Sequence, residues 1–287
     1  MNKIKIFGDS TLDLTPELCK KYDISIIPLT VLVGDVNYKD MVEIKPEQIF
    51  EHVDKTGELP KTAAINAEIY KENWAPYLEQ GYDIIHFNIS STMSMCNQSA
   101  NIAAKELDEN RVHVIDTLNL STGSALLALY AYDLIQKGLD AKTIAEKCRN
   151  RIPHVQASFV LDRLNYLHKG GRCSSLTLLA ASVLSIKPSI RVTDGKMAPS
   201  RKYVGKFATC AEKYANDLFV DFKNPDHTRV FVTHTSVPEP IIANLKQIAT
   251  QQGFKEVLDT TAGCTISSHC GPCCIGVLFI NDGDDEK

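Results

Sequence analysis

Apolar positions in the first half of the chain switch between two periods. Short apolar runs at 3–7, 26–33, 82–89 and 112–116 each end in polar residues and predict strands. Between them apolar residues recur every three or four positions and predict helices. One opens with Thr15 as cap and Pro16 at its first position. Others begin at Pro46, run through Trp74, follow the spacing of Ala100, Ala103, Ala104 and Leu107, and cover 122–137 and 141–151, while 60–66 reads as a loop. Strand–helix alternation of this kind predicts a mostly parallel sheet wrapped on both faces. Ligands of such sheets bind outside the carboxyl ends of the strands. The polar loops at 9–11, 90–94 and 116–117 therefore belong to one edge.

Pro153 marks a change. After it come a strand at 155–161, a short helix, the loop Lys169-Gly170-Gly171-Arg172 and a helix at 176–184. The run 186–192 enters Asp194-Gly195, a strong hairpin signal. Helices at 207–222 and 240–251 and strands at 229–233, 256–260 and 275–280 complete the pattern, and the tail after 281 reads as frayed. Hairpin and crossover features together predict a second α/β domain. The expected organisation is thus two α/β domains, 1–152 and 153–287.

The stretch 88–100 organises the rest: Asn88-Ile89-Ser90-Ser91-Thr92-Met93-Ser94-Met95-Cys96-Asn97-Gln98-Ser99-Ala100. A strand enters it and a helix leaves it. The first N–H groups of a helix have no internal partner, and its dipole favours negative charge there. Ser90, Ser91, Thr92, Ser94 and Ser99 add uncharged donors. One hydroxyl suffices for a cap; this many points to an anion-binding turn.

Composition narrows the classes. The chain has 287 residues, 44% hydrophobic and 23% charged, with net charge −4 and no long basic block, which argues against nucleic acid. No apolar run is long enough to span a bilayer. The start lacks a signal-peptide pattern, so a cytoplasmic location is expected. Nine cysteines, mostly isolated, read as small apolar residues of a reducing compartment.

Neither glycine cradle for a nucleotide is present, nor the hydrolase elbow. Gly170-Gly171-Arg172 ends a flexible loop in a permanent cation that suits carboxylate or phosphate; taken alone it reads more readily as a surface turn. Cys270-Gly271-Pro272-Cys273 has redox-centre spacing, but a strand follows where such a centre needs a helix. Cys264, His269, Cys270 and Cys273 supply metal-type side chains without a second paired knuckle. His269 is as readily a packed loop histidine as a donor to an anion.

Taken in order, these pieces resemble the DegV family of bacterial lipid-binding proteins. Asp9-Ser10-Thr11-Leu12-Asp13-Leu14 is similar to its opening motif, and Thr62 stands at the Thr of its T-S-Q-P loop. Ile89-Ser90-Ser91-Thr92-Met93-Ser94 with Gln98-Ser99-Ala100 resembles I-S-S-x-L-S-G-T-Y-Q-S-A. Gly170-Gly171-Arg172, Ile186-Lys187-Pro188 and His269-Cys270-Gly271-Pro272 match its G-G-R, K-P strand and H-x-G-P-G.

The resemblance implies a two-domain α/β protein holding a long-chain fatty acid between its domains. Thr62 and Ser94 would grip the carboxylate, beside Ser91, with Arg172 and His269 close to that end. It further implies a non-catalytic subunit that presents the acid to a separate ATP-binding fatty acid kinase subunit for acyl-phosphate formation, with no cofactor or metal of its own. Ala63, Ala64 and Ile65 replace S-Q-P, Met95, Cys96 and Asn97 replace G-T-Y, and Cys273 replaces the last Gly of G-P-G. The loops flanking the grip thus differ in shape and polarity. The competing expectations are a lipid or small-anion binder without a kinase, and a thiol or metal enzyme using 264–274.

Overall fold

The computed structural model describes residues 2–173 and 186–283. The helix expected at 176–184 lies outside them, as does the tail from 284 onward. The architecture is mixed α/β. Strands β1 (Lys3–Asp9), β2 (Ile24–Ile27), β6 (Tyr82–Asn88) and β7 (Val112–Asp116) form a sheet of order β2-β1-β6-β7, parallel throughout. Gly8 pairs with Phe87 and Asn88 with Asp116, so the strand ends at 9, 88 and 116 lie along one edge.

A second, seven-stranded sheet has the order β11-β10-β9-β14-β12-β13, with β8 also on β14. It is built from β8 (Val155–Gln156), β9 (Ser158–Leu161), β10 (Ile186–Thr193), β11 (Lys196–Val204), β12 (Arg229–Thr235), β13 (Glu256–Thr261) and β14 (Cys274–Ile280). Only β12 and β13 run parallel among these pairs. Helices α8 (Phe207–Asp221) and α9 (Glu239–Gln251) bury Cys210, Tyr214, Leu218, Ile242 and Leu245 in a core with Val230, Val232, Val277 and Phe279 of this sheet.

Helix α5 (Ser121–Gln136) is buried from Ser121 through Leu129 and again at Ala131 and Leu134. A helix apolar all round must be covered on every side. It packs on β1 and β6 of one sheet and on β12 and β14 of the other, so one core cluster runs through both halves. Polar ties reinforce the join. Arg229 bonds both Asp133 of α5 and Glu256 of β13, and Thr122 meets Thr233 at 2.6 Å.

Four local expectations need correction. The run 26–33 is two strands: Pro28 follows β2, and β3 (Thr30–Val33) joins another sheet. Proline has no N–H for a ladder, so the strand divides there. Beside β3 lie β4 (Val36–Lys39) and β5 (Lys61–Ala63), the latter in what read as a loop; Val31 pairs with Thr62. The run 155–161 is broken at Ala157 into β8 and β9. Finally, His269, weighed as a loop histidine, lies in a helix, α10 (Cys264–Cys270). The three-stranded sheet packs on α2 (Pro46–Thr56), with Tyr166 of α7 (Asn165–Gly170) and Cys264 of α10 closing that core.

Candidate functional site

The turn after β6 is set by backbone bonds. The Met93 and Ser94 amides donate to the Ser90 carbonyl at 2.9 and 3.2 Å, and the Ser90 amide to that of Asn119 at 2.8 Å. Helix α4 (Cys96–Leu107) follows, and Ser94 Oγ accepts from the Cys96 amide at 3.3 Å. The Ser94 hydroxyl thus sits at the positive end of a three-turn helix.

The hydroxyls divide between two jobs. Ser90 Oγ donates to the Gly195 carbonyl at 2.8 Å, and Thr92 Oγ1 donates to the same oxygen. They dock the β10–β11 hairpin onto the turn. Gly195 has φ +78 and any Cβ would lie 2.7 Å from Ser90 Oγ, so only glycine fits. Ser99 lies in the first turn of α4, its amide on the Met95 carbonyl. Ser91, Thr92 and Ser94 line a cavity of about 310 Å³, at the small end of the usual range for small-molecule sites.

All five residues singled out from the sequence, Thr62, Ser91, Ser94, Arg172 and His269, line this one cavity. Thr62 arrives on β5, held by its pairing to Val31. His269 arrives near the end of α10, and its Nε2 lies 3.1 Å from Thr62 Oγ1. Burial, and secondarily the charge of Arg172, lowers the imidazole to about 4, so it is neutral at pH 7. Nδ1 is buried without a hydrogen-bond partner. A proton on Nε2 leaves only an unpartnered acceptor there, whereas a proton on Nδ1 would bury an orphan N–H, the rarer and costlier case. We assign the Nε2 proton on that ground. His269 then donates to Thr62, and the Thr62 hydroxyl proton is free to face the cavity. Arg172 is exposed at the rim, following Gly171 at φ +68, and its Nη1 donates to the Gly170 carbonyl at 2.9 Å.

Apart from Thr265, the remaining wall is apolar, with Leu29, Ile89, Met93, Met95, Leu120, Met197, Ile266 and Cys270. Leu120, Ile266 and Cys270 also line an adjoining pocket of about 30 Å³ that reaches Phe159, Cys274 and Leu278 between α5 and the second sheet. A polar mouth thus opens onto an apolar interior. Leu29 and Met197 carried no sequence signal, because they reach the site only through the strand break at Pro28 and the hairpin.

Behind the turn lies a buried network. Asp9 accepts from Tyr70 Oη at 2.8 Å, from Asn88 Nδ2 at 3.0 Å and from the Ile89 amide at 3.2 Å, with His86 Nε2 at 3.0 Å. Asp9 stood in the opening motif, but its partners are far away in sequence.

The cysteine region lacks the features of a reaction centre. Cys264 and Cys270 begin and end α10, roughly 9 Å apart at 1.5 Å rise per residue. The Cys264 thiol points to the Ile44 carbonyl at 3.2 Å. Among the described residues no three His, Cys, Asp or Glu side chains gather as metal ligands. Burial pushes the Cys264, Cys273 and Cys274 thiols up, opposite to an activated thiolate. Replacing Cys273, which lies outside the cavity wall, by Ser should therefore leave ligand affinity within about threefold. A stoichiometric zinc signal lost in that variant would overturn this.

No helix among the described residues is long and apolar enough to cross a membrane. The DegV family model matches residues 3–282. A DegV domain-containing protein of Clostridium acetobutylicum is 34% identical over 98% of this chain and 99% of its own. A fatty acid-binding protein of Thermotoga maritima is 29% identical, covering 96% of each. The structure of a DegV family protein from Thermus thermophilus, described for its fatty acid binding, superposes with a TM-score of 0.90 at 25% identity, covering 98% of this chain and 100% of that one.

Proposed function

Because the chain belongs to the DegV family, we propose that it binds a long-chain fatty acid and presents it to a separate ATP-binding kinase subunit, which makes the acyl phosphate. The observation that carries the binding reading is one cavity with Thr62, Ser94 and His269 at its polar end and an apolar interior beyond. In this reading Thr62 and Ser94 donate to the carboxylate, the α4 N-terminus favours its charge, and Ser91 and Arg172 flank it. The neutral His269 keeps the Thr62 proton directed at the ligand. In this reading the two domains are 1–152 and 153–287, a division supported by α6 (Ala141–Arg151) packing on β6 and β7 and by the second sheet beginning at Val155. The protein works in the cytoplasm.

Energetics favour such a ligand. Each buried methylene contributes roughly 0.8 kcal/mol, so a long acyl chain gains on the order of 10 kcal/mol before association costs. The carboxylate needs donors, because a buried unpaired charge is prohibitive.

Protein purified from a bacterial host should carry a fatty acid of roughly 14 to 18 carbons, a size whose burial survives purification. Native mass spectrometry followed by extraction checks this. Empty protein that also fails to take up labelled fatty acid would overturn the binding reading. Capture of the kinase subunit, and acyl-phosphate formation with it, separates a kinase-coupled carrier from a lipid binder without one.

A further inference from the structure

Helix α10 brings Thr265, Ile266, His269 and Cys270 to the cavity, yet it has only seven residues. A helix that short is marginal by itself and takes its position from what holds its ends. Its first amides are held by two carboxylates from the other half of the chain. Gly263 N donates to Asp13 Oδ1 at 2.7 Å, Cys264 N to Asp40 Oδ1 at 2.7 Å and Thr265 N to Asp40 Oδ2 at 3.3 Å. Both acids are buried. Each is itself fixed: Asp40 by Ser10 Oγ at 2.8 Å, Asp13 by the Ser121 hydroxyl of α5. A Cβ added at Gly263 would lie 3.1 Å from Asp13 Oδ1, 3.2 Å from Asp40 Oδ1 and 3.0 Å from Met41. The bare α-carbon lets the helix end approach both acids.

We propose that Asp13 and Asp40 are positioning residues that clamp α10 across the two halves and thereby set His269 against Thr62. The inference rests on the ligand reading above only for its effect on affinity; the clamp itself is a property of the free protein.

The clamp carries a proton. Burial, opposed by the Ser121 and Gly263 bonds and assisted by the Asp40 charge, pushes Asp13 up to about 8. The groups facing Asp13 are Asp40, the Ser121 hydroxyl, the Gly263 amide and the Cys264 thiol, whose own titration is also raised. The folded arrangement therefore favours protonated Asp13, and by linkage the clamp weakens as pH rises through about 8.

The test uses full-length protein labelled at histidine. In the free protein the His269 ring should titrate near 4. Asp40→Asn and Gly263→Ala should each raise that value by about one unit or more, as the ring loses its enclosure. Gly263→Ala removes no polar group, so it separates positioning from a general loss of hydrogen bonds. Fatty-acid dissociation constants should rise about tenfold in both variants. In the parent protein affinity should fall between about pH 6.5 and pH 9, and Asp13→Asn should flatten that profile. An unchanged His269 titration in both variants would overturn the clamp even where their melting temperatures fall. A shifted titration without any fatty-acid binding by the parent would keep the clamp and remove the ligand reading.

Discussion

Arg172→Ala should bind a fatty acid within about threefold of the parent protein, yet support roughly a hundredfold less acyl-phosphate formation with the kinase subunit. Ser94→Ala should do the reverse at the first step, losing roughly ten- to a hundredfold in affinity, since one donor to a charged acceptor is worth about 1.5 to 3 kcal/mol. The contrast follows from where the two side chains stand. Ser94 is half-buried in a turn fixed by backbone bonds, with its hydroxyl at a helix N-terminus. Arg172 is exposed at the rim, after a left-handed glycine, and its guanidinium is held by its own loop carbonyl. A carboxylate paired tightly with a guanidinium is a poor nucleophile towards ATP. Neutral donors hold it without quenching its charge, which leaves the arginine free to meet the phosphoryl group as it transfers. Measuring both variants in fatty-acid binding and in acyl-phosphate formation decides the matter. Lost lipid binding in Arg172→Ala with a silent Ser94→Ala would reverse the roles.

The candidate site was legible where its signals are local. The hydroxyl turn and the Gly-Gly-Arg loop stand out within a few residues, Thr62 came only with the family resemblance, and all three line one cavity. The sequence overstated the turn, because Ser90 and Thr92 spend their hydroxyls on Gly195, a partner more than 100 positions away. Helix α10 was missed for a related reason. Seven residues of Cys, Thr, Ile, Ser and His show no helical period and have weak propensity. The helix exists through the Asp13 and Asp40 acceptors, which local pattern does not reveal. The parallel sheet was readable because its short apolar runs alternate along the chain with segments of helical spacing, among them the twelve-residue α4 and the sixteen-residue α5. The three-stranded sheet was not, since β5 has only three residues and gains its structure from β3.

Asp9→Ala should lower the melting temperature by about 10 °C, the largest single-residue effect expected on stability. Asp9 lies fully buried at the end of β1 and gathers donors from three places in the chain: Tyr70 of α3 (Ala67–Glu79), His86 and Asn88 of β6, and the Ile89 amide. Around them Tyr70, Trp74 and His86 pack with ring centroids 5.0 to 5.3 Å apart, which keeps water from substituting for the lost oxygens. Removing one member of a buried polar set costs roughly 3–5 kcal/mol, because the others remain buried and unpaired. At roughly 2–4 °C per kcal/mol for a chain of this class, the shift is about 10 °C. Asp9→Asn is the sharper control. It keeps the shape, but its amide nitrogen either faces the Asn88 and Ile89 donors or makes Tyr70 Oη and His86 Nε2 turn acceptor, which moves the imidazole proton onto the buried, unpartnered Nδ1. It should therefore recover little of the loss, whereas a cavity effect would be fully repaired by an isosteric side chain. The network also fixes Ile89, the residue from which the hydroxyl turn departs. Fatty-acid affinity should accordingly fall in both variants at temperatures where circular dichroism shows them folded. If Asp9→Asn melts with the parent protein and binds as tightly, the carboxylate is not what holds the strand end, and the turn must take its shape from the Gly195 hairpin alone.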